Sequence, residues 1–181
     1  GYIRPDKVGG IVNSFKYKGL TVRVVMDWAM GHVIDNGFKG QIMGSSRNNN
    51  NAIKDAMTNS WQSANDGTKY PKYTVQSDYD YQYRNHMRWD NQIGSSESGS
   101  TNNSLYFSKG DYLAFREVSL SYMLPSTWVR KIRLSGVEVF AGAYNIGYIK
   151  KYDGMFPEIY TGVDYGVYPR PRQYNLSLIH I

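Results

Sequence analysis

The sequence contains no cysteine, few histidines and no long apolar run. None of its 181 residues is Cys, which excludes disulfides, cysteine zinc clusters and thiol catalysis. No apolar stretch approaches the ~20 residues that a membrane helix requires. The three histidines, His32, His86 and His180, are far apart in the sequence and lack the spacing of a metal motif. We interpret them as solvated or hydrogen-bonded side chains.

Motifs for catalysis are also missing. The sequence has no glycine-rich phosphate loop, no nucleophile elbow and no Ser/His/Asp arrangement. Asp78, Asp80 and Asp90 lie among tyrosines, but their spacing lacks the later ligands and the glycine of a calcium loop. We therefore predict no enzyme activity and no cofactor, and the sequence leaves open whether these carboxylates bind a metal.

The charge does not indicate a nucleic-acid partner. The formal net charge is +6, yet the Lys and Arg residues are scattered rather than grouped in one patch, so we predict no nucleic-acid binding. Aromatic residues are abundant instead, at 15% of the chain with 17 Tyr. The mean hydropathy of -0.55 is compatible with a membrane barrel, because barrel strands alternate lipid-facing and lumen-facing residues.

The N-terminal part has the pattern of a β-hairpin. Residues 9–17 and 20–30 alternate apolar and polar side chains around the two-residue turn Lys18-Gly19. The second segment has about the length of a tilted membrane strand.

The two faces of residues 20–30 differ in charge. A charged side chain at the lipid midplane of a barrel costs about 2 to 4 kcal/mol, so the face with Thr21, Arg23 and Asp27 is predicted to point into the lumen. Arg23 and Asp27 are expected to pair there. The opposite face is predicted to contact lipid and holds Leu20, Val22, Val24 and Met26.

Three further strands are predicted over residues 111–124, 136–148 and 174–178. The first changes phase midway, which predicts a β-bulge near Arg116 and Glu117. Residues 126–133 are expected to form a compact turn, with Trp128 folded under the barrel rim.

Two long connections, residues 34–109 and 149–172, separate these strands. Residues 52–63 have the spacing of a short helix. In outer-membrane barrels the periplasmic turns are short and the outer loops long. The order of connections therefore places Lys18-Gly19 and residues 126–133 in the periplasm and both long loops outside.

Aromatic side chains in the two long loops are the candidate binding residues. Tyr and Trp present flat apolar faces with polar tips, which suit sugar rings, peptide side chains and protein interfaces, although loop packing also uses them. The candidate substrate or partner contacts are Trp61, Tyr79, Tyr81, Trp89, Tyr152 and Tyr160.

Several motifs resemble one membrane protein family. They are Y-L-A-F-R-E-V-S-L-S-Y-M-L-P from Tyr112, the turn around Trp128, V-E-V-F-A-G-A-Y-N-I from Val137, and Y-P-R-P-R-Q-Y from Tyr168. Earlier segments add P-D-x-x-G-G-x-x-N-x-F-x-Y-K-G from Pro5 and W-x-x-x-N-x-x-x-x-Y-P from Trp61. Together they resemble the C-terminal end of SusC/RagA-like, TonB-dependent outer-membrane transporters.

The resemblance implies an all-β fold. We expect an antiparallel up-and-down meander, the last five or so strands of a transmembrane β-barrel of roughly 22 strands, with long outer loops carrying a short helix. Residues 1–181 would be the C-terminal part of the barrel, without signal peptide, plug and most strands. The abrupt start at Gly1 also predicts a fragment.

The resemblance further implies a function and partners. The whole protein would import oligosaccharides or peptides through the outer membrane of a Gram-negative bacterium. Its partners would be a SusD-like surface lipoprotein, the TonB complex, which contacts the missing N-terminal part, and outer-membrane lipid.

Two alternatives remain at this point. A secreted all-β carbohydrate-binding module has similar strand patterning and aromatic loops. Residues 177–181, S-L-I-H-I, break the alternation and resemble translated adapter sequence, so they are either native or foreign.

Overall fold

A computed structural model describes residues 1–43, 53–68, 70, 72 and 104–180. The strands are β1 Lys7–Tyr17, β2 Leu20–Met30, β3 Val33–Asp35, β4 Phe107–Lys109, β5 Tyr112–Met123, β6 Val137–Lys150 and β7 Gln173–His180. The helices are α1 Gly37–Met43, α2 Lys54–Thr58 and α3 Ser126–Val129, the last followed by a 3-10 turn, Arg130–Ile132. No helix among the described residues is long and apolar enough to cross a membrane.

The chain divides into two compact units. The first comprises Gly1–His32, Lys109–Pro157 and Tyr168–Ile181, and the second comprises Val33–Ser108 and Glu158–Val167. The first unit holds a five-stranded antiparallel sheet in the order β1-β2-β5-β6-β7. This is the predicted all-β up-and-down meander, and the sheet is open at β1 and β7.

The turn between β1 and β2 follows from two residues with positive φ. Lys18 has φ 44° and Gly19 has φ 85°, which is the pattern of a type I′ hairpin turn. A Cβ on Gly19 would lie 2.8 Å from the carbonyl oxygen of Met123, so glycine is also needed for the close approach to β5. The predicted two-residue turn is confirmed.

The predicted bulge in β5 is confirmed as well. The register of β5 shifts between Phe115 and Glu117 against β6, and Met26 pairs with Phe115 while Val25 pairs with Glu117. Arg116 is thus the extra residue in the strand. The extra residue puts Leu113 and Phe115 on the same face as Val118 and Leu120.

The two faces of the sheet differ in chemistry, although Asn13 pairs with Val24 on the side predicted to contact lipid. Residues that pair directly across an antiparallel sheet share a face, so the register joins the predicted lipid-facing side chains of β2 to apolar positions on the other strands. These are Ile11 and Phe15 in β1, Phe115, Val118 and Leu120 in β5, Val139 in β6, and Leu176 and Leu178 in β7. We call this side the apolar face.

The opposite side, which we call the polar face, holds Arg23 and Asp27. The register adds many polar or small positions to it, although Val12, Val25, Met123, Phe140 and Ile179 also lie on this side. The polar or small positions are Ser14 and Lys16 in β1, Glu117, Ser119 and Ser121 in β5, Glu138 and Gly142 in β6, and Gln173 and Asn175 in β7. The predicted division of β2 into two faces therefore extends across the whole sheet.

The β5–β6 turn differs from the expectation at Trp128. Its side chain is 62% exposed rather than folded under the rim, and the neighbouring Val129 is buried instead. The chain turns by one helical turn, and Leu134 donates to the Val129 carbonyl at 3.3 Å, which closes the segment over Val129 and directs the indole outward.

The second unit contains structure that the sequence pattern did not predict. β3 and β4 form a two-stranded sheet, and α1 follows β3. The predicted helix over residues 52–63 is confined to Lys54–Thr58. The segment Glu158–Val167 is joined to β3, because Asp35 donates to the Gly162 carbonyl and Asp164 donates to the Asp35 carbonyl, both at 2.8 Å.

Single cysteine substitutions in the full-length protein test the assignment of the two faces. Cysteine at Val22, Val24 or Leu120 should resist a water-soluble thiol reagent in the membrane, because lipid covers these positions. Cysteine at Thr21 or Ser14 should react from the aqueous lumen. Equal labelling of Val24 and Thr21 would contradict the assignment.

Candidate functional site

The polar face carries a network of charged side chains centred on the bulge. Arg116 donates from Nε to Asp27 Oδ2 at 2.5 Å and from a terminal nitrogen to Asp27 Oδ1 at 2.8 Å. A two-bond Arg–carboxylate contact is strong and directional. The other terminal nitrogen of Arg116 donates to the Tyr148 hydroxyl at 3.3 Å. The bulge residue thus links β2, β5 and β6.

Arg23 and Asp27 do not pair with each other, so that prediction is wrong. Arg23 lies 3.4 Å from Glu117, and Glu117 accepts a hydrogen bond from Ser119 at 2.8 Å. Four residues along a strand span about 13 Å, which exceeds the reach of an ion pair, whereas neighbouring strands lie about 5 Å apart. Arg23 and Asp27 therefore form ion pairs with residues of the neighbouring strand β5.

Aromatic rings continue this network toward the end of the sheet with the long connections. Tyr148 contacts both Tyr112 and Phe156 edge to face with ring centroids 5.9 Å apart, and Tyr112 contacts His32 at 6.4 Å. Phe156 belongs to the β6–β7 connection and is buried. The start of that connection is therefore packed on side chains of the sheet.

His32 and Asp111 occupy the ends of the strands. Asp111 accepts from the Gly31 amide at 2.7 Å and from Lys151 at 2.9 Å, and these bonds hold the pKa of Asp111 below its ordinary value. Burial lowers the pKa of His32, although the Asp111 charge opposes this. A Cβ on Gly110 would lie 2.3 Å from the imidazole, so glycine makes room for the ring. We interpret this cluster as packing that closes the strand ends.

The six candidate aromatic residues have different surroundings. Trp61 is 43% exposed and Tyr160 is 82% exposed, so both rings are accessible. Tyr152 is only 2% exposed and lies against Gly154, where a Cβ would come within 2.3 Å of the ring. Tyr152 therefore packs inside the loop. Tyr79, Tyr81 and Trp89 lie outside the described residues, as do Asp78, Asp80 and Asp90.

Trp61 is held by a small cluster within the second unit. Its amide donates to the Tyr70 carbonyl at 2.9 Å, and the Tyr70 hydroxyl donates to Asp55 at 2.8 Å. Tyr70 and Tyr106 form a buried cluster with Ile53 and Leu105 against it. The exposed indole thus lies on an ordered base.

The turn after Trp61 is organised by one carboxylate. Asp66 accepts from the Gln62 and Ser63 amides at 2.6 and 3.1 Å and from the Thr68 amide at 3.1 Å. These backbone hydrogen bonds lower the pKa of Asp66 to about 2, because they stabilise the ionised form. Among the described residues, no group of three or more His, Cys, Asp or Glu is arranged to hold a metal ion.

Comparison with known proteins finds a curated relative and similar solved structures. No family model matches the chain. The chain is 24% identical to the TonB-dependent receptor P3 of Formosa agariphila over 186 residues, which is 96% of this chain and 16% of the receptor. The fold is similar to a structure of the RagAB peptide transporter, with a TM-score of 0.71 and 20% identity over 97% of this chain and 17% of that one. It is also similar to the open-open state of the RagAB peptide importer, with a TM-score of 0.68, 20% identity and coverage of 96% and 17%.

The chain resembles a segment of a TonB-dependent receptor barrel. The predicted all-β fold is confirmed, and the similarity to these proteins supports the predicted outer-membrane location. The segment spans about one sixth of the length of the proteins that it matches. A secreted binding module is disfavoured because a soluble module would bury such an apolar face, whereas Ile11, Phe15, Leu120 and Leu176 of that face are exposed.

Arg116 was not assigned to the site from the sequence, although the change of phase in the strand placed a bulge near it.

Double-mutant cycles with Asp27→Ala and Arg116→Ala in the full-length receptor should give a coupling energy of about 1.5 to 3 kcal/mol, since two charge-assisted hydrogen bonds are lost together. The matched Arg23→Ala and Glu117→Ala cycle should give less than about 1 kcal/mol, because that pair is longer and Arg23 is 46% exposed. Urea unfolding in lipid vesicles measures both, and equal couplings would contradict the central role of Arg116.

Proposed function

We propose that residues 1–181 are the C-terminal part of the barrel of an outer-membrane TonB-dependent importer of oligosaccharides or peptides. The carrying observation is the five-stranded sheet with one apolar and one polar face, which resembles a RagAB structure over 97% of the chain. Such a sheet supplies a wall with lipid on one side and an aqueous lumen on the other. The importer would work with a SusD-like surface lipoprotein and with the TonB complex, which would contact the plug.

The wall and the loops have separate roles in this proposal. The Arg116 network and the Tyr148–Phe156 contact hold the first residues of the β6–β7 connection on the sheet. Trp61 and Tyr160, together with Tyr79, Tyr81 and Trp89, would contact substrate or the lipoprotein. Tyr152 supports the loop from inside, since its ring is buried.

Alanine substitutions in the full-length importer test the binding role. Trp61→Ala and Tyr160→Ala should each weaken uptake or lipoprotein association by about 5- to 30-fold, the ordinary cost of losing an aromatic contact of about 1 to 2 kcal/mol. Uptake of a labelled oligopeptide mixture and of a labelled oligosaccharide mixture, with co-purification of the lipoprotein, would be measured.

Met57→Ala is the matched control, because Met57 is also exposed in the second unit but is not aromatic. Tyr152→Ala should instead raise protease sensitivity of the loop. Unchanged uptake and lipoprotein binding for both Trp61→Ala and Tyr160→Ala would show that these rings only pack the loops.

Epitope tags test the side of the membrane on which each connection lies. A tag after Thr161 should bind antibody on intact cells, because long barrel loops lie outside, and a tag at Lys18 should bind only after permeabilisation. Antibody binding to the Lys18 tag on intact cells would invert the topology.

A further inference from the structure

Two short turns bring a set of cations together at one end of the sheet. The β1–β2 turn lies beside the end of β5, because Met123 donates its amide to the Gly19 carbonyl at 2.8 Å. The helical turn between β5 and β6 begins three residues later, at Ser126. Residues 15–22 and 120–137 contain no Asp or Glu, whereas they contain five cations. Lys16 lies on the polar face. We call the other four cations, which lie in the two turns, the basic rim: Lys18, Arg130, Lys131 and Arg133.

Acidic side chains within the described ranges do not balance the charges of the basic rim. All four residues are exposed. Within the described ranges, no acidic side chain forms an ion pair with any of them, and Lys18 lies over the Tyr17 ring at 5.3 Å. Grouping four like charges is unfavourable unless anions from outside compensate them.

The basic rim directly follows the apolar face. Tyr17, Leu20 and Tyr122 are the last residues of that face at this end, and the Trp128 indole is exposed in the same turn as Arg130. Tyr and Trp mark the boundary of the hydrocarbon layer in barrels. Cations just beyond such a boundary lie at the level of lipid headgroups, and their long stems allow them to reach the phosphates.

We propose that the basic rim binds anionic phospholipid headgroups of the membrane leaflet on the short-turn side of the barrel. Binding of this kind requires the membrane-spanning barrel but not the transport activity proposed above. Charge complementarity and the position beside the apolar face favour lipid over a soluble acidic protein, because a soluble partner would not need the adjoining aromatic boundary.

Thermal unfolding of the full-length receptor in nonionic detergent, titrated with lipid, tests the proposal. Phosphatidylglycerol should raise the Tm more than phosphatidylcholine with the same acyl chains, since a ligand that binds the folded state stabilises it. In the triple variant Arg130→Gln, Lys131→Gln, Arg133→Gln, the phosphatidylglycerol concentration at half-maximal shift should rise by about tenfold or more, given the energy of each cation at an anionic surface.

The matched control removes three charges from the opposite end of the sheet. Arg4→Gln, Lys7→Gln, Lys109→Gln, all exposed positions, should retain the response of the unmodified receptor. Equal shifts with both lipids, or full retention of the phosphatidylglycerol response in the basic-rim variant, would overturn the proposal. An equal shift with inorganic phosphate would also overturn it, because simple anion binding would then suffice. Uptake is measured separately, so failure of transport and failure of lipid binding are distinguishable.

Discussion

The structure depends on the cost of placing charge against hydrocarbon. In a strand of a membrane barrel, successive side chains alternate between lipid and lumen. Once one charged residue is assigned to the lumen, the side of all remaining positions in the strand follows. Arg23 and Asp27 set this parity for β2, and hydrogen-bond register passes it to β1, β5, β6 and β7. Charged side chains that would be unfavourable against lipid lie on the opposite side of the sheet, where their ion pairs join neighbouring strands.

The bulge at Arg116 follows from the same constraint. Without an extra residue, the sequence of β5 would place Leu113 and Phe115 on the face opposite Val118 and Leu120. The extra residue restores all four to the apolar face and leaves both Arg116 and Glu117 on the polar face. Two adjacent charged side chains can then meet Asp27 and Arg23 of the same neighbouring strand. A local irregularity thus corrects the phase of the strand and creates the charge network.

Sequence reasoning succeeded where the physical signal is local. The bounds of β2, the Lys18-Gly19 turn and the β5 bulge follow from alternation, turn chemistry and a visible phase change. It failed where partners come from elsewhere in the chain, as with the expected Arg23–Asp27 pair, whose real partners lie about 90 residues away. β3 and β4 have three residues each, which is too few for a periodic pattern. The Lys39 amide at the start of α1 donates to the Asn36 side-chain oxygen, but the α1 sequence has no helical apolar stripe.

Prediction of the candidate binding residues from the sequence was also limited, but for a different reason. Aromatic residues in long loops look alike in sequence, yet Tyr152 is buried and Tyr160, eight positions later, is exposed. The difference arises from Gly154 and Phe156. Glycine lets the Tyr152 ring lie against the backbone, and Phe156 anchors the same stretch on Tyr148. Because Tyr148 also accepts a hydrogen bond from Arg116, the position of this loop segment depends on an ion pair within the wall. A change at Asp27 would therefore act on the loop through Arg116, Tyr148 and Phe156, without any contact between Asp27 and a ligand.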